Sequence, residues 1–229
     1  MQIKLIESRE IAPEVRHFVF EATGIDTLAF TPGQFVSLTQ TVEGREVTRA
    51  YSIASAPRGN RFDLCLNRLV EGIFSPWLFE RKPGDTLDMR PPLGFFVLRK
   101  PPREAVFVAT GTGIAPFRAM LEERLGANDT RPFTLLFGVR YERGLLYRDE
   151  FEQMAREHPN FRFLPMLSRP ESSWKGRTGH VQAHLEEVIG GRRDLDVYIC
   201  GLKLMVDDVR AILKNMGFDR KQIVYEKYD

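Results

Sequence analysis

The chain has 229 residues, 43% hydrophobic and 28% charged, and its 33 basic and 31 acidic residues leave a formal net charge of +2. That length accommodates two domains with separate cores, and the balanced charge gives no case for nucleic acid or a membrane surface as partner. No apolar run approaches the ~20 residues of a bilayer span, the opening lacks a signal-type apolar stretch, and two distant cysteines, Cys65 and Cys200, cannot ligate an iron–sulfur cluster, so a cytoplasmic protein with reduced thiols is expected.

Along the first hundred residues, short segments rich in β-branched and aromatic residues predict strands at 3–6, 15–20, 35–39, 47–55, 62–66 and 86–89. Turns such as Pro32-Gly33 and Pro83-Gly84-Asp85 punctuate them, and a short helix is expected at 75–80 with Pro76 in its first turn. This pattern suggests an antiparallel β-barrel or sandwich. The prolines of 100–103 mark a linker, after which the rhythm changes. Strands at 105–109, 133–137, 161–167 and 196–200 alternate with helices at 116–125, 147–157, 180–188 and 203–216. Such alternation implies an α/β doubly wound parallel sheet. Two domains are therefore expected, 1–100 and 101–229.

Three stretches carry chemistry. In Arg49-Ala50-Tyr51-Ser52-Ile53-Ala54-Ser55, alternation places Arg49 and Tyr51 on one strand face and Ser52 on the other. An Arg forks onto a diphosphate, a Tyr stacks on a planar ring, and a Ser bonds a ring nitrogen; a surface strand with one aromatic would look the same. From Leu66 through Arg68, Leu69, Gly72, Ile73 and Phe74 to Ser75, a strand passes into the short helix, where exposed amides favour anionic oxygens, although Ser75 also suits a plain N-cap. Thr110-Gly111-Thr112-Gly113-Ile114-Ala115-Pro116 follows a buried strand and opens a helix. Pro116 stands where the dinucleotide fingerprint has its third glycine, so this is a different phosphate turn.

In order and spacing these motifs, with Gly94-Phe95-Phe96, Arg140 and Cys200-Gly201-Leu202-Lys203, resemble the ferredoxin–NADP reductase family in its bacterial branch. The resemblance implies FAD on the barrel. Arg49 would hold its diphosphate, Tyr51 would stack on the isoalloxazine and Ser52 would bond near flavin N5. Ala50, Leu66, Arg68, Leu69, Ile73 and Phe74 would line the flavin, with Gly72 and Ser75 at the diphosphate. It also implies a dinucleotide held by Thr112, Gly113, Pro116 and Arg140, with the nicotinamide beside Cys200 and Gly201. Ser168, Arg169 and Arg177 would take the 2′-phosphate of NADP in preference to NAD. The ending places Glu226 on the hydride path and Tyr228 over the flavin, with Tyr225 as its rival and a solvated tail as the plainer possibility. Ser52, Cys200 and Glu226 would then be the catalytic set, and no metal is expected: His180 and His184 stand four apart without a third ligand.

The activity so implied is hydride exchange between NADPH and FAD, with single electrons passed to or from ferredoxin or flavodoxin by a monomer. An NAD(P)H-dependent flavin, ferric or cytochrome reductase, or an electron-transfer subunit of a larger complex, would use the same scaffold. The absence of a cysteine-rich extension after Asp229 favours the free-standing enzyme.

Overall fold

Alternating burial builds the first half. In the computed structural model, which describes residues 1–228, β1 (Gln2–Ala12), β2 (Val15–Ala22), β3 (Phe35–Val42), β4 (Arg45–Ser52), β5 (Arg61–Asn67) and β6 (Thr86–Leu93) form one antiparallel sheet in the order β4-β3-β6-β1-β2-β5. Ile3 and Leu5 of β1, Val36 and Leu38 of β3, and Phe62 and Leu64 of β5 point inward, and each such side chain contributes about 1.5–3 kcal/mol by leaving water. A bridge between Ile53, just beyond β4, and Leu64 joins the two edge strands, so the sheet closes toward a barrel. Helix α1 (Phe74–Phe79) lays Phe74 and Leu78 into that core. Strand β6 outlasts its expected end because Pro91 and Pro92 lie beyond its pairing with β1 at 86–88 and opposite a register shift in β3, where a missing amide costs no ladder bond.

The second half is a parallel sheet. Strands β7 (Glu104–Thr110), β8 (Phe133–Val139), β9 (Phe161–Leu167), β10 (Arg177–Thr178), β11 (Leu195–Leu202) and β12 (Ile223–Tyr228) lie in the order β10-β9-β8-β7-β11-β12. β7, at its centre, is apolar and buried from Ala105 to Ala109, as a strand covered on both faces must be. The chain winds outward from β7 to β10, then returns to β11 on the other side of β7. The strand order therefore reverses between β7 and β11, the place where doubly wound sheets open a ligand crevice. Helices α3 (Arg148–Glu157), α4 (Leu185–Ile189) and α5 (Lys203–Asn215) accompany this sheet, α5 burying Met205, Val206, Val209 and Leu213 along one stripe.

Two expectations change. The helix anticipated at 180–188 is a 3₁₀ turn, Val181–His184, followed by α4, so His180 and His184 do not share a helix face. The tail is no solvated coil. Ile223, Val224 and Tyr225 favour extended backbone, and a capping box of Asp219 and Gln222 turns the chain onto the edge of β11, where β12 pairs in register from Val197↔Ile223 to Leu202↔Tyr228. Asp229 lies outside the described residues.

By internal contacts the chain divides into two compact units, Met1–Leu98 with Ala115–Gly126, and Arg99–Ile114 with the chain from Ala127 onward. Helix α2 (Ala115–Gly126), which follows β7 in sequence, thus belongs with the barrel. No helix among the described residues is long and apolar enough to cross a membrane.

Candidate active site

On the barrel, the end of β4 passes from exposed to buried rather than alternating. Arg49 and Ala50 are exposed, Tyr51 is half-buried and Ser52 is buried. The Arg49 guanidinium spends one N–H on the neighbouring Thr48 carbonyl at 2.8 Å and keeps its outward edge for an anion. The Tyr51 ring packs on the barrel core with its centroid 6.1 Å from that of Phe74, and burial pushes its hydroxyl up to about 12, against the opposing pull of Arg49, so it remains a protonated donor.

The loop from β5 to α1 is self-bonded. Gly72 N–H donates to the Leu69 carbonyl at 2.8 Å, and Ser75 Oγ accepts from the Leu69 amide at 2.9 Å. Ser75 is therefore not an N-cap. The helix begins one residue earlier, after Ile73, and the buried Ser75 hydroxyl ties the loop to its first turn. Leu66 and Phe74 are buried, while Arg68 is exposed and lies 3.9 Å from Glu14. Leu69, Val70 and Ile73 of this loop are exposed apolar side chains, suited to covering by a flat apolar ligand.

At the switch point of the parallel sheet, Thr110 to Ile114 leave β7 in a tight 3₁₀ turn, beside the end of β11. A Cβ on Gly113 would overlap the Cys200 carbonyl, so only glycine lets this turn lie against β11. Gly201, at φ +147°, crosses back against Thr110 and leaves no room for a side chain there. Thr110 Oγ1 is buried here with no hydrogen-bond partner. A backbone turn that a side chain would fill, and an orphaned hydroxyl in it, fit a dinucleotide backbone. The half-buried Tyr51 ring and the outward Arg49 likewise fit a flavin nucleotide. Thr112 is half-buried in the turn, and Pro116 is buried in the first turn of α2.

Cys200 is fully buried, and its thiol is raised well above the usual range by burial and then by the charge of Glu226; a hydrogen bond from Tyr228 opposes both. It is therefore a neutral thiol rather than a nucleophile. β12 brings its partners, because Cys200 stands opposite Glu226 in the ladder. Tyr225 points the other way, toward α5, with the Arg210 guanidinium 3.8 Å from its ring centre. Of the two candidate tyrosines, Tyr228 is the one at Cys200.

At the far side of the sheet, Ser168 N–H bonds the Val139 carbonyl at 3.0 Å and Arg169 N–H bonds the Arg140 carbonyl at 2.9 Å, which gathers Arg140, Ser168 and Arg169. Arg140 and Arg169 are exposed, and no described residue pairs with the Arg169 guanidinium. Arg177 differs. Both of its terminal nitrogens bond Glu187, at 2.6 and 2.8 Å, which holds its pKa above the ordinary range. The sequence offered no sign of that partner ten residues on. It also gave no notice of a buried network in the barrel unit, in which Arg118 of α2 meets Asp63 of β5. Its faint signal was two charges, Arg118 and Glu122, one turn apart in an otherwise apolar helix start.

Residues 2–98 match the family model described as an oxidoreductase FAD-binding domain, and residues 107–211 match the oxidoreductase NAD-binding domain. The whole chain aligns at 41% identity with 97% of ferredoxin–NADP reductase B of Sorangium cellulosum. It also aligns over 99% of its length, at 31% identity, with 67% of a toluate 1,2-dioxygenase electron transfer component of Pseudomonas putida. In architecture it is similar to the FAD/NAD-binding domain of a Vibrio cholerae nitric oxide dioxygenase, at TM-score 0.91 and 24% identity, covering 99% of this chain and 98% of that one. An antiparallel flavin barrel followed by a doubly wound dinucleotide sheet defines a flavoprotein oxidoreductase. The chain belongs to the ferredoxin–NADP reductase family.

Proposed function

We propose that the protein is a monomeric, cytoplasmic reductase that exchanges hydride with NADPH and passes single electrons to or from ferredoxin or flavodoxin. FAD would lie on 1–100 and the dinucleotide on 101–229. The observation that carries this reading is the close approach at the ends of β7 and β11, where the glycine turn meets Cys200 and Cys200 meets Glu226 and Tyr228. The name of the 41% identical relative supports ferredoxin as acceptor. FAD supplies the redox chemistry when bound, taking two electrons as hydride and releasing them one at a time.

The protein supplies position and charge. Arg49 would neutralise the FAD diphosphate, with Gly72 and Ser75 beside it; Tyr51 would stack on the ring system, and Ser52 would hold a hydrogen bond near its reactive nitrogen. Ala50, Leu66, Arg68, Leu69, Ile73 and Phe74 would line the remainder. Thr112, Gly113 and Pro116 would seat the pyrophosphate of the dinucleotide, with Arg140 alongside. Cys200, a neutral and fully buried thiol, would lie near the nicotinamide without reacting, next to Gly201. Glu226 would hold or move the proton there, and Tyr228 would cover the flavin.

Cofactor choice would rest on Ser168, Arg169 and Arg177, and Arg169 is the stronger determinant because its guanidinium is uncommitted, whereas Arg177 must exchange Glu187 for phosphate. Steady-state kinetics with both dinucleotides test this. Arg169→Ala should raise KM for NADPH by about tenfold or more and leave NADH nearly unchanged, as loss of one charge-assisted contact requires; Arg177→Ala should have the smaller effect. Wild-type protein that uses NADH as well as NADPH would defeat the assignment. Reduction of ferredoxin and flavodoxin, compared with free flavin, ferric complexes and cytochrome, identifies the acceptor. A second reading, an electron-transfer component of a larger complex, has the name of the Pseudomonas putida relative behind it.

A further inference from the structure

Helix α2 and the segment after β4 are joined by a buried ionic network that no role above uses. Arg118 is 7% exposed. Its Nη1 donates to the Ala54 carbonyl at 2.6 Å and to Asp63 Oδ2 at 3.2 Å, and its Nη2 pairs with Glu122 Oε1 at 2.7 Å. Glu122, one turn on, accepts from the Ala56 amide at 2.8 Å with its other oxygen. Asp63 is 1% exposed, and its own backbone completes the set, accepting from Ala54 N–H at 2.8 Å and donating to Ser55 Oγ at 3.0 Å. His17 of β2 and Arg58 face the same carboxylate. Ala54, Ser55 and Ala56 are thus each tied, Ala54 at both its N–H and its carbonyl, two residues beyond Ser52.

Stability alone does not account for this arrangement. Burying a guanidinium and a carboxylate costs several kcal/mol before pairing returns it, and an apolar side chain at 118 would pack as Phe117 and Ala119 do. What the fork of an Arg adds is direction: it fixes two acceptors at once in one plane. The acceptors here are the exit of the flavin strand and the strand beside it.

We infer that Arg118 and Glu122 are positioning residues, through which α2 sets the backbone of residues 53–56 and with it the presentation of Ser52 and Tyr51 to FAD. The inference rests on the flavin reading above. The helix that begins where the glycine turn Gly111–Ile114 ends thereby fixes the exit of the flavin strand.

The test uses the FAD-loaded protein with Arg118→Met, which keeps the stem and removes the fork, and Arg118→Lys, which restores the charge. Three quantities are measured: amide hydrogen exchange over 53–57, the visible circular dichroism of bound FAD, and the maximal rate of flavin reduction by NADPH. In Arg118→Met, exchange over 53–57 should rise about tenfold or more while β1 and β2 keep their protection. The flavin dichroism should change, and the maximal rate should fall about tenfold with half-saturating NADPH within about twofold, as expected of misplacement rather than lost binding. Arg118→Lys should recover part of each. Should Arg118→Met not fold, Glu122→Gln replaces it, with smaller shifts in the same directions. Faster exchange with unchanged dichroism and rate would reduce Arg118 to a structural tie and overturn the inference, as would no change in any of the three. Wild-type FAD that NADPH does not reduce would overturn the functional reading instead, and the exchange and dichroism arms would still decide the role of Arg118.

Discussion

Burial decides what each polar side chain can do, and it separates residues that a sequence treats alike. Arg49, Tyr51, Ser52 and the glycines of 111–113 could be proposed from the sequence because their chemistry is local: a fork, a ring, a hydroxyl and a bare backbone within a few residues. Arg118 and Glu122 could not, because a charged pair one turn apart on a helix reads as a solvated face until the tertiary structure buries it. Arg177 was legible as an arginine but not in its bond to Glu187. His17 shows the same limit. Burial holds its imidazole down to about 3, and the charges of Arg118, Arg9 and Arg58 act in the same direction. The native state therefore keeps His17 neutral, while the unfolded chain takes up a proton near pH 6.5. The stability this supplies is complete above about pH 6.5 and is lost as pH falls toward about 3, a total on the order of 5 kcal/mol. Denaturant unfolding between pH 7 and pH 4.5 should show stability falling with acid, and His17→Gln should remove up to one proton from that slope. Asp63, raised by its own burial, opposes the slope nearer its range, and the difference between wild type and variant largely cancels it. Equal slopes in the two proteins would place His17 outside the titrating set.

Elements were legible where hydrophobic period and punctuation agreed, as in β7, α5 and the strands of the barrel. They were obscured where an edge strand carries polar residues. β12 contains Glu226 and Lys227, so its last residues look like a solvated tail, yet its backbone completes the sheet beside β11. The expected helix at 180–188 failed for the opposite reason. Its composition is helical, but the chain comes off β10 through Gly179, at φ +96°, and ends at Gly190, at φ +59°, which leaves room for one 3₁₀ turn and a short α4. The placement of β12 has a direct consequence for Cys200. Both cysteines are buried and neither is in a disulfide, so native protein should show no rapid reaction with a disulfide reagent. Removing residues 223–229 strips the strand whose Glu226 stands opposite Cys200 and should expose one thiol per chain, whereas Tyr228→Phe, which keeps the strand, should expose none. Mass spectrometry locates the modified residue. Modification at Cys65 instead, or none at all, would show that β12 is not what covers Cys200.

At the scale of the molecule, the order of motifs disclosed a flavin barrel followed by a dinucleotide sheet, and the fold agrees. The affiliation of α2 was not legible, because alternation of strand and helix assigns each helix to the sheet it follows. Tertiary contacts assign α2 to the barrel unit instead, so the two units are interwoven along the chain rather than strung in series. A fragment of residues 1–98 would contain every barrel strand and lack α2. Asp63 would lose Arg118, the Ala54 carbonyl its donor, and the Ala56 amide its acceptor, while Phe96 would lose the Phe117 ring 5.7 Å away. Breaking a buried ion pair from one side costs about 3–5 kcal/mol, a large part of the ~5–15 kcal/mol that holds an ordinary domain together. The fragment should therefore unfold at much lower denaturant than the full chain, or not fold cooperatively. A second fragment carrying residues 115–126 on a flexible linker after residue 98 should recover most of the loss, and its Arg118→Met form should not. The comparison is made by denaturant unfolding followed by far-ultraviolet circular dichroism, without FAD so that ligand binding does not mask the difference. A 1–98 fragment as stable as the linked one would mean that the strands alone sustain the barrel and that α2 only rests upon it.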